Sequence, residues 1–291
     1  MPYAKHESFH IREGWLAKGL RAVQEDRGIL RDDAAPVKLG LGRNMVRALQ
    51  FWLTATGLVK VDPPGHTLTE FGNQVLLCDP YFEDIGTLWF IQYHLACSED
   101  NATAWYWFFN HFAYPAFDQE VFVQELGRWV LAREERKPLA SRTLESEFQV
   151  LTRTYLPSGR DYSPEDGMDS PLAELGLLES LPDKRYRLRP PDLDRLPPLI
   201  VLYVLLHERP GQPRIQSETG LMQALREPCG VGRVFNLGAA ALLETLERLT
   251  VQGADWSVHL TRTAGLDRLT LPRVAPKAVM ARYYRECGCG G

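Results

Sequence analysis

Acidic side chains occur at three places in this 291-residue chain where a phosphodiester-cleaving metal site could be built. The three groups are His6 with Glu7, Asp32 with Asp33, and Glu165, Asp166 and Asp169. A metal-dependent nuclease needs two or three carboxylates that converge on Mg²⁺. Adjacent acids in a helix–helix turn are more often helix caps, and acids in a polar loop are commonly solvated. No D-x-n-E-x-K pattern chooses between the groups, so the residues alone leave all three open.

A glycine loop, Gly40-Leu41-Gly42, precedes a helical segment that begins with Arg43. Backbone N–H groups at such a loop and at a helix N-terminus can bind phosphate. The chain has no G-x-x-x-x-G-K-[ST] phosphate loop, and no strand precedes the glycines as a dinucleotide-binding fingerprint requires. A tight turn between two helices is the structural alternative, and both interpretations can hold. Arg43 and Arg47 would then be placed to reach phosphate or a guanine edge.

The elements that must position these side chains resemble a winged helix-turn-helix. Apolar residues recur at helical spacing over residues 12–24 and again after Gly42. The second segment places Leu49 and Trp52 on one face and the arginines on the other, and Gly57 ends it. A short strand-like run, a Pro-Pro-Gly turn and a second run follow, which is the order of a wing. We therefore predict a DNA-binding winged helix-turn-helix over residues 1–78.

The rest of the chain indicates a mainly α fold. Residues 79–192 are predicted to form a helical domain that ends in a polar, acidic connector from residue 157. Residues 193–291 are predicted to form a C-terminal helical, winged-helix-like domain with a terminal β-hairpin. The aromatic run at residues 105–109 could be a base-stacking platform, but no Lys or Arg is interleaved with it, so we expect core packing.

Charge is distributed unevenly along the sequence. Residues 1–60 carry a net charge of +4, whereas residues 61–125 contain ten Asp and Glu, no Lys or Arg, and a net charge of −10. We expect this acidic stretch to face away from DNA or to meet a basic partner, because carboxylates repel phosphates. A solvated surface without a partner is the alternative.

Cysteine usage and hydropathy point to a cytoplasmic protein that does not enter a membrane. The five cysteines are scattered and odd in number, so no disulfide framework is expected, and the Cys287–Cys289 tail is expected to be mobile. The longest apolar run, residues 199–206, is far shorter than the roughly 20 residues that span a bilayer. The N-terminus lacks the apolar core of a signal peptide.

Several motifs resemble a family encoded in bacterial DNA phosphorothioation defence loci, the SspB family. The resemblance is carried by Lys5-His6-Glu7-Ser8-Phe9, Arg12-Glu13-Gly14-Trp15-Leu16, Lys18-Gly19, Asp33-Ala34, Leu39-Gly40-Leu41-Gly42-Arg43-Asn44-Met45-Val46, Leu88-Trp89, Thr103-Ala104-Trp105-Tyr106-Trp107-Phe108-Phe109-Asn110 and Ser170-Pro171-Leu172-Ala173-Glu174-Leu175-Gly176-Leu177. It covers about residues 5–180 and is most specific in the first sixty residues. One position departs from the expected pattern, because Arg43 stands where we expect Lys, and an arginine fork contacts phosphate differently from an ammonium group.

The resemblance implies a Mg²⁺-dependent DNA nickase that opens one strand of double-stranded DNA for modification. Its implied partners are an ATPase, a sulfurtransferase-like protein and a cysteine desulfurase, and a homodimer remains one option for its assembly. Within the matching segment we assign Glu7 and Asp33 as metal ligands, with His6 beside them as a catalytic residue. The predicted DNA-binding residues are Arg12, Lys18, Lys38, Arg43, Asn44 and Arg47. A non-catalytic DNA-binding adaptor that recruits the sulfur-modification enzymes is the alternative.

Overall fold

The computed structural model describes residues 3–134, 138–158, 169–252, 256, 258–263 and 266–289, and it is mainly α-helical. The helices are α1 Trp15–Glu25, α2 Ala35–Leu39, α3 Arg43–Ala55, α4 Glu70–Cys78, α5 Ile85–Ala96, α6 Thr103–Asn110, α7 Gln119–Glu134, α8 Ser141–Tyr155, α9 Pro198–Leu205, α10 Leu221–Arg226, α11 Val231–Val234, α12 Ala239–Gln252 and α13 Pro276–Glu286. The strands are β1 Val59–Asp62, β2 Gly65–Leu68, β3 Leu178–Leu181, β4 Arg185–Leu188, β5 His207–Arg209, β6 Gln212–Pro213, β7 Glu218–Gly220, β8 His259–Thr263 and β9 Leu266–Thr270. Short 3-10 turns occur at Ile29–Arg31, Pro171–Leu175 and Pro182–Lys184.

The first elements follow one another as three helices and an antiparallel hairpin. Helix α1 begins later than the apolar pattern predicts, because Gly14 takes a left-handed φ of 74° immediately before Trp15. It packs closely on α3, since a Cβ at Gly19 would lie 2.5 Å from Leu53 Cδ1. Strand β1 pairs with β2 from Val59–Leu68 to Asp62–Gly65. This is the predicted element order, and its assignment as a winged helix-turn-helix stays a prediction.

The central helices carry the densest packing. Helix α5 is buried along almost its whole length, and every residue of α6 is buried. The aromatic run Trp105, Tyr106, Trp107, Phe108 and Phe109 has at most 3% exposure. The expectation that these rings form core rather than a base-stacking surface is therefore confirmed.

In addition to the β1–β2 hairpin, three more small sheets lie among the described helices. Inside the segment predicted to be a polar connector, β3 and β4 form a hairpin that pairs Leu178 with Leu188. Tyr186 of this hairpin also exchanges two backbone hydrogen bonds with Phe117, at 2.9 and 2.7 Å. Four-residue strands give too few alternations to stand out in the sequence. A β5–β6 hairpin follows α9, and the predicted terminal hairpin is part of a three-stranded sheet ordered β7–β9–β8.

The end of the chain is tied down by a bond that the sequence did not indicate. Cys78, at the end of α4, forms a disulfide with Cys289, whose Cα lies 5.2 Å away. The Cys289 N–H also donates to the Tyr284 carbonyl at 2.9 Å. The expectation that this tail is mobile is therefore wrong at Cys289, and a single disulfide forms where no disulfide framework was expected. A pairing across 211 residues of sequence depends on the fold, so the cysteine count could not reveal it.

Buried apolar side chains from all three predicted domains belong to one hydrophobic cluster, which runs from Ile11 to Tyr284. Helix α13 reaches the core through Tyr284, whose hydroxyl is 2.9 Å from the Thr87 hydroxyl of α5. The predicted boundaries at residues 78 and 192 stay predictions. None of the described helices is both long and apolar enough to cross a membrane.

Candidate nucleic-acid interface

The N-terminal end of α3 is an open, positively charged surface. Gly42 precedes the helix in an extended conformation, no side chain caps it, and the first turn contains no acidic residue. Arg43 and Asn44 are exposed, and the Arg47 side chain is 66% exposed one turn later. The uncapped N–H groups and the helix dipole add positive potential to the two guanidinium groups. We call Arg43, Asn44 and Arg47 the α3 surface.

The opposite side of α3 holds this surface in place. Ala48, Leu49, Trp52 and Leu53 are completely buried, and the Trp52 indole N–H donates to the Phe9 carbonyl at 2.9 Å. The buried face and the exposed arginines are separated as the apolar pattern predicts. The α3 surface therefore has a rigid base, which suits a helix that must dock against another molecule.

The two predicted DNA-binding lysines make contacts at either end of α2, the helix that precedes α3. The Lys18 ammonium donates to the Leu39 carbonyl at 3.0 Å, at the end of α2. Lys38 lies 2.5 Å from the Asp32 carboxylate, and this hydrogen bond is the largest cause that lowers the pKa of Asp32. Asp32 also accepts the Ala34 N–H at 2.8 Å, as a residue that caps the turn before α2 would. Lys18 therefore supports the loop that leads into α3, and Lys38 supports the turn before α2.

His6 lies in the interior, where it holds the N-terminal segment onto α8. Its ring is 1% exposed, and its Nε2 is 3.3 Å from the Glu147 carboxylate. The Ser8 N–H donates to His6 Nδ1 at 3.1 Å, so in the neutral ring the proton is on Nε2, which lies near Glu147 but makes no hydrogen bond in the described structure. Glu147 also accepts the Ala4 N–H. Glu147 is a partner that sequence reasoning missed, since a lone Glu in an amphipathic helix gives no signal.

Glu7 and Arg47 are the predicted site residues that the structure brings together. The Glu7 carboxylate lies 3.6 Å from the Arg47 guanidinium, and both side chains are partly exposed. Glu7 is held there by a left-handed backbone, with φ of 50°. Asp33 is exposed and makes no ion pair within the described part of the chain. Glu7 therefore neutralises part of the α3 surface.

Arg12 occupies a different setting from the α3 surface. Its guanidinium carbon lies 5.5 Å from the centre of the Phe9 ring and 5.4 Å from that of Trp15. It lines a cavity of about 680 Å³ whose other charged lining residues are acidic, namely Glu13, Glu83, Asp169 and Glu174. Its predicted contact with DNA stays a prediction.

The turn of the β1–β2 hairpin adds contacts that the sequence did not single out. Arg27 is 2.5 Å from Asp62, and the Arg31 guanidinium donates to the Pro64 carbonyl at 2.9 Å. These two arginines join the turn before α2 to the β1–β2 hairpin. Lys60 of β1 is exposed, so it is a further cation available on this side of the molecule. Their spacing of four residues was the only sequence signal for Arg27 and Arg31.

The residues assigned to Mg²⁺ do not form a ready metal site. Among the described residues, no group of three or more His, Cys, Asp or Glu is arranged to hold a metal ion. Glu7 is engaged with Arg47, and buried His6 faces Glu147. Glu165 and Asp166 lie outside the described residues, while the Asp169 carboxylate accepts the Ser158 N–H. The assignment of Glu7 and Asp33 as metal ligands stays a prediction.

Two solved structures resemble this chain over nearly its whole length. One, described as a magnesium ion-bound SspB crystal structure, has a TM-score of 0.85 and 26% sequence identity, and the alignment covers 97% of this chain and 88% of that chain. A second SspB crystal structure has a TM-score of 0.83 and 27% identity, with the same coverage. The expected SspB-like fold is therefore confirmed. No curated protein matches the sequence. The model of DUF4007, a family of proteins of unknown function, matches residues 3–284, and the chain therefore belongs to the DUF4007 family.

Proposed function

We propose that this protein binds double-stranded DNA through the α3 surface and nicks it as the SspB-like component of a bacterial DNA phosphorothioation system. The observation that carries the proposal is the SspB-like fold over 97% of the chain, at 26–27% identity. The motifs of the first sixty residues support it, because the family they resemble nicks DNA for sulfur modification. The ATPase, the sulfurtransferase-like protein and the cysteine desulfurase of such systems are the proposed partners.

The electrostatics of the α3 surface support the DNA-binding step. Two exposed guanidinium groups, one amide side chain and an uncapped helix N-terminus lie within the first five residues of α3. Arginine forks can bind a phosphate or a guanine edge with two parallel hydrogen bonds. Arg47 must exchange its 3.6 Å contact with Glu7 for the new one, so DNA binding would free the Glu7 carboxylate.

Two observations support a role for magnesium in this proposal: the sequence motifs resemble a Mg²⁺-dependent family, and one similar solved structure is described as magnesium ion-bound. The described residues of this chain do not form a metal site in advance. A bound Mg²⁺ would polarise the attacked phosphate and usually needs only one or two protein carboxylates in addition to water and substrate oxygens. The described side chains do not converge as such a site, so we derive no catalytic step through the metal. Glu7 and Asp33 are the carboxylates whose removal tests the assignment.

A non-catalytic adaptor that recruits the modification enzymes to DNA is the second candidate. It is favoured because two of the residues assigned to catalysis are already in contact with other side chains: Glu7 contacts Arg47, and His6 lies beside Glu147. Such contacts can stabilise a DNA-binding surface and need no catalytic activity. Both candidates require the α3 surface, and only the nickase requires carboxylates that cannot be replaced.

Supercoiled plasmid incubated with the purified protein separates the two candidates. We expect relaxed circles with Mg²⁺ and none with EDTA. We also expect Glu7→Ala or Asp33→Ala to abolish nicking while DNA binding persists, with Glu13→Ala as a matched exposed control that nicks normally. Plasmid that stays supercoiled with Mg²⁺, while the protein still binds DNA, would establish the adaptor.

The DNA-binding step has its own test. Replacement of both Arg43 and Arg47 by Ala should weaken binding to a labelled duplex by about 10–100-fold and reduce the salt slope by about two, because each arginine neutralises one phosphate. If one arginine instead reads a guanine edge, its loss should cost about 1–3 kcal/mol on a preferred site and less on random DNA. Arg185→Ala with Arg189→Ala, an exposed pair at the same spacing, is the control. An unchanged affinity and slope in the α3 variant would contradict the proposed interface.

A further inference from the structure

The exposed face of α8 carries an arginine at each end. Arg142 lies in the first turn and Arg153 in the last, both are exposed, and neither makes an ion pair within the described part of the chain. Their spacing of about three helical turns, or about 16 Å along the axis, directs both side chains to the same side of the helix. Ser146 and Gln149 lie between them on this side. We call these four residues the α8 stripe.

The acidic residues of α8 lie outside this stripe. The three-residue spacing places Glu145 about 60° around the helix from Arg142. Its carboxylate accepts the Ser141 hydroxyl at 2.7 Å. Glu147 points inward, where its side chain is 3% exposed and 3.3 Å from His6 Nε2. Because these are the two acids of α8, a helix that the structure describes throughout, the arginines of the stripe have no acidic partner in their own helix.

The N-terminal segment connects the α8 stripe to the α3 surface. The Ser8 hydroxyl is 3.2 Å from the Ser146 hydroxyl, and the neighbouring Glu7 carboxylate is 3.6 Å from Arg47. Lys5 is exposed in the same segment and makes no ion pair among the described residues. Exposed cations therefore follow one another from α3, across the N-terminal segment, to α8, and Glu7 is an acid among them.

Buried contacts beneath the N-terminal segment fix α3 and α8 relative to each other. The His6 ring is 1% exposed and packs edge-on against Phe51 of α3 and Trp105 of α6, with 5.8 and 6.0 Å between ring centres. The same ring lies beside Glu147 of α8, whose carboxylate also accepts the Ala4 N–H. A rigid array of charges loses little entropy when it binds, so the two helices can contact one ligand together.

The composition of this surface favours a polyanion over a protein partner. Protein interfaces have apolar or aromatic anchors at their centre, and none of the large exposed apolar residues of the described chain lies on α8 or in residues 3–8. Guanidinium, ammonium and amide donors are instead the groups that bind phosphate oxygens. The distance of about 16 Å between Arg142 and Arg153 along the helix equals the rise of about five base pairs, so the two arginines can reach separate phosphates of one duplex.

We propose that the α8 stripe and Lys5 bind the phosphate backbone of the duplex that flanks the segment contacted by the α3 surface. The inference rests on the proposed DNA binding and adds a second contact from a helix that is distant in sequence. Because the added contact is to phosphate, it raises the affinity for every DNA sequence and carries no base readout.

Titration of a labelled duplex at several salt concentrations tests the second contact. Arg142→Ala with Arg153→Ala should weaken binding about tenfold and reduce the salt slope by about two, because each arginine neutralises one phosphate. Arg142→Lys with Arg153→Lys should restore the slope, since an ammonium group neutralises a phosphate as well. Arg226→Ala with Arg273→Ala removes two exposed arginines of the C-terminal region and is the matched control, which should bind as the unmodified protein does.

The outcomes separate this inference from the proposed function. An α8 variant with the affinity and slope of the control overturns the inference even if the α3 variant loses binding, and so does a lysine variant that fails to restore the slope. A weakened α8 variant beside an unchanged α3 variant supports the α8 contact and contradicts the α3 surface. An unmodified protein that binds no duplex overturns both proposals.

Photo-crosslinking locates the contact directly. We expect p-benzoylphenylalanine in place of Gln149, between the two arginines, to crosslink to the labelled duplex. The same group in place of Met222, an exposed residue of α10, should not crosslink. Equal yields from the two positions, or none from position 149, would contradict a duplex lying along α8.

Discussion

Residues 1–60 carry a net charge of +4 and residues 61–125 a net charge of −10, and the fold places these charges in different surroundings. In the acidic stretch, cations from elsewhere in the chain approach the carboxylates. The pairs are Asp62 with Arg27, Glu70 with Lys277, Glu99 with Arg133 and Arg209, and Glu125 with Arg128. Other acids are used locally, since Asp84 accepts the Gly86 and Thr87 N–H groups at the start of α5.

In residues 1–60, Arg27 and Lys38 are also in ion pairs, but the two arginines of the α3 surface are compensated much less. Arg43 has no ion pair within the described residues, and Arg47 has only the 3.6 Å contact with partly exposed Glu7. Four of the ten carboxylates, those of Asp62, Glu70, Glu99 and Glu125, therefore have basic partners in the same chain. The expectation that the acidic stretch faces away from DNA or meets a basic partner stays a prediction. The comparison teaches that the net charge of a stretch does not give the charge of a surface, because ion pairs form between segments distant in sequence.

A disulfide joins Cys78, in the acidic stretch, to Cys289, 211 residues further along the chain. Replacement of Cys78 and Cys289 by Ser should lower the free energy of unfolding by up to about 5 kcal/mol, because the bond closes a loop of about 211 residues in the unfolded state. Urea unfolding with and without reductant measures the loss. Cys287→Ser, which removes the exposed free thiol, should leave the midpoint unchanged. Equal midpoints in the double variant and the unmodified protein would contradict this link.

Residues 61–125 also contain a largely buried histidine, His94, whose effect can be measured from the pH dependence of stability. Burial lowers the pKa of His94 from 6.5 to about 3. Between these two pH values His94 is therefore protonated in the unfolded chain and neutral in the folded chain. As far as it depends on His94, the free energy of unfolding is therefore at its full value above pH 6.5. It falls by about 1.4 kcal/mol per pH unit as the pH drops toward 3. His94→Phe should flatten the pH dependence of urea unfolding between pH 7 and 5. Parallel curves for the two proteins would show that His94 does not carry the effect, while buried His207 leaves some slope in both.

Glu99 tests whether the long-range ion pairs matter. Its carboxylate bridges Arg133 of α7 and Arg209 of β5, and its side chain is 17% exposed. Glu99→Ala should lower the free energy of unfolding by about 1 kcal/mol, since two partly exposed pairs are lost together. Asp100→Ala is the matched control, because the adjacent exposed carboxylate makes no ion pair within the described chain. A loss of the same size in both variants would mean that the pairs contribute nothing specific.

A variant of Glu7 tests how far this carboxylate reduces the positive charge of the α3 surface. Glu7→Gln removes the negative charge beside Arg47 and should raise duplex affinity about two- to fivefold, the scale of one exposed ion pair. Glu13→Gln, an exposed acid without an ion pair within the described residues, should not change it. If the Glu7 variant binds DNA more tightly and still nicks plasmid, Glu7 shields the α3 surface and is not a metal ligand. An affinity equal to that of the Glu13 variant would contradict the shielding.

The sequence by itself determined the local elements that carry the candidate interface. Helical spacing around Leu49 and Trp52 set the buried face of α3 and left Arg43 and Arg47 outside. Gly42 directly precedes the first residue of α3, and Gly57 lies two residues after the last. Such features depend on neighbours within a few positions along the chain, so periodicity and glycine placement are sufficient to predict them. The aromatic run of α6 was assigned to the core from another local feature, the absence of interleaved Lys or Arg.

Only the tertiary structure decided which distant side chains meet. Cys78 bonds to Cys289 across 211 residues, His6 faces Glu147 of α8, and His94 and His207 line one cavity. None of these pairs has a spacing that a sequence pattern could reveal, because packing of helices from separate segments brings them together. The chemistry of the proposed metal ligands was likewise undecided in sequence, since the same Glu7 can hold an ion or neutralise Arg47, and the geometry of the fold sets its partner.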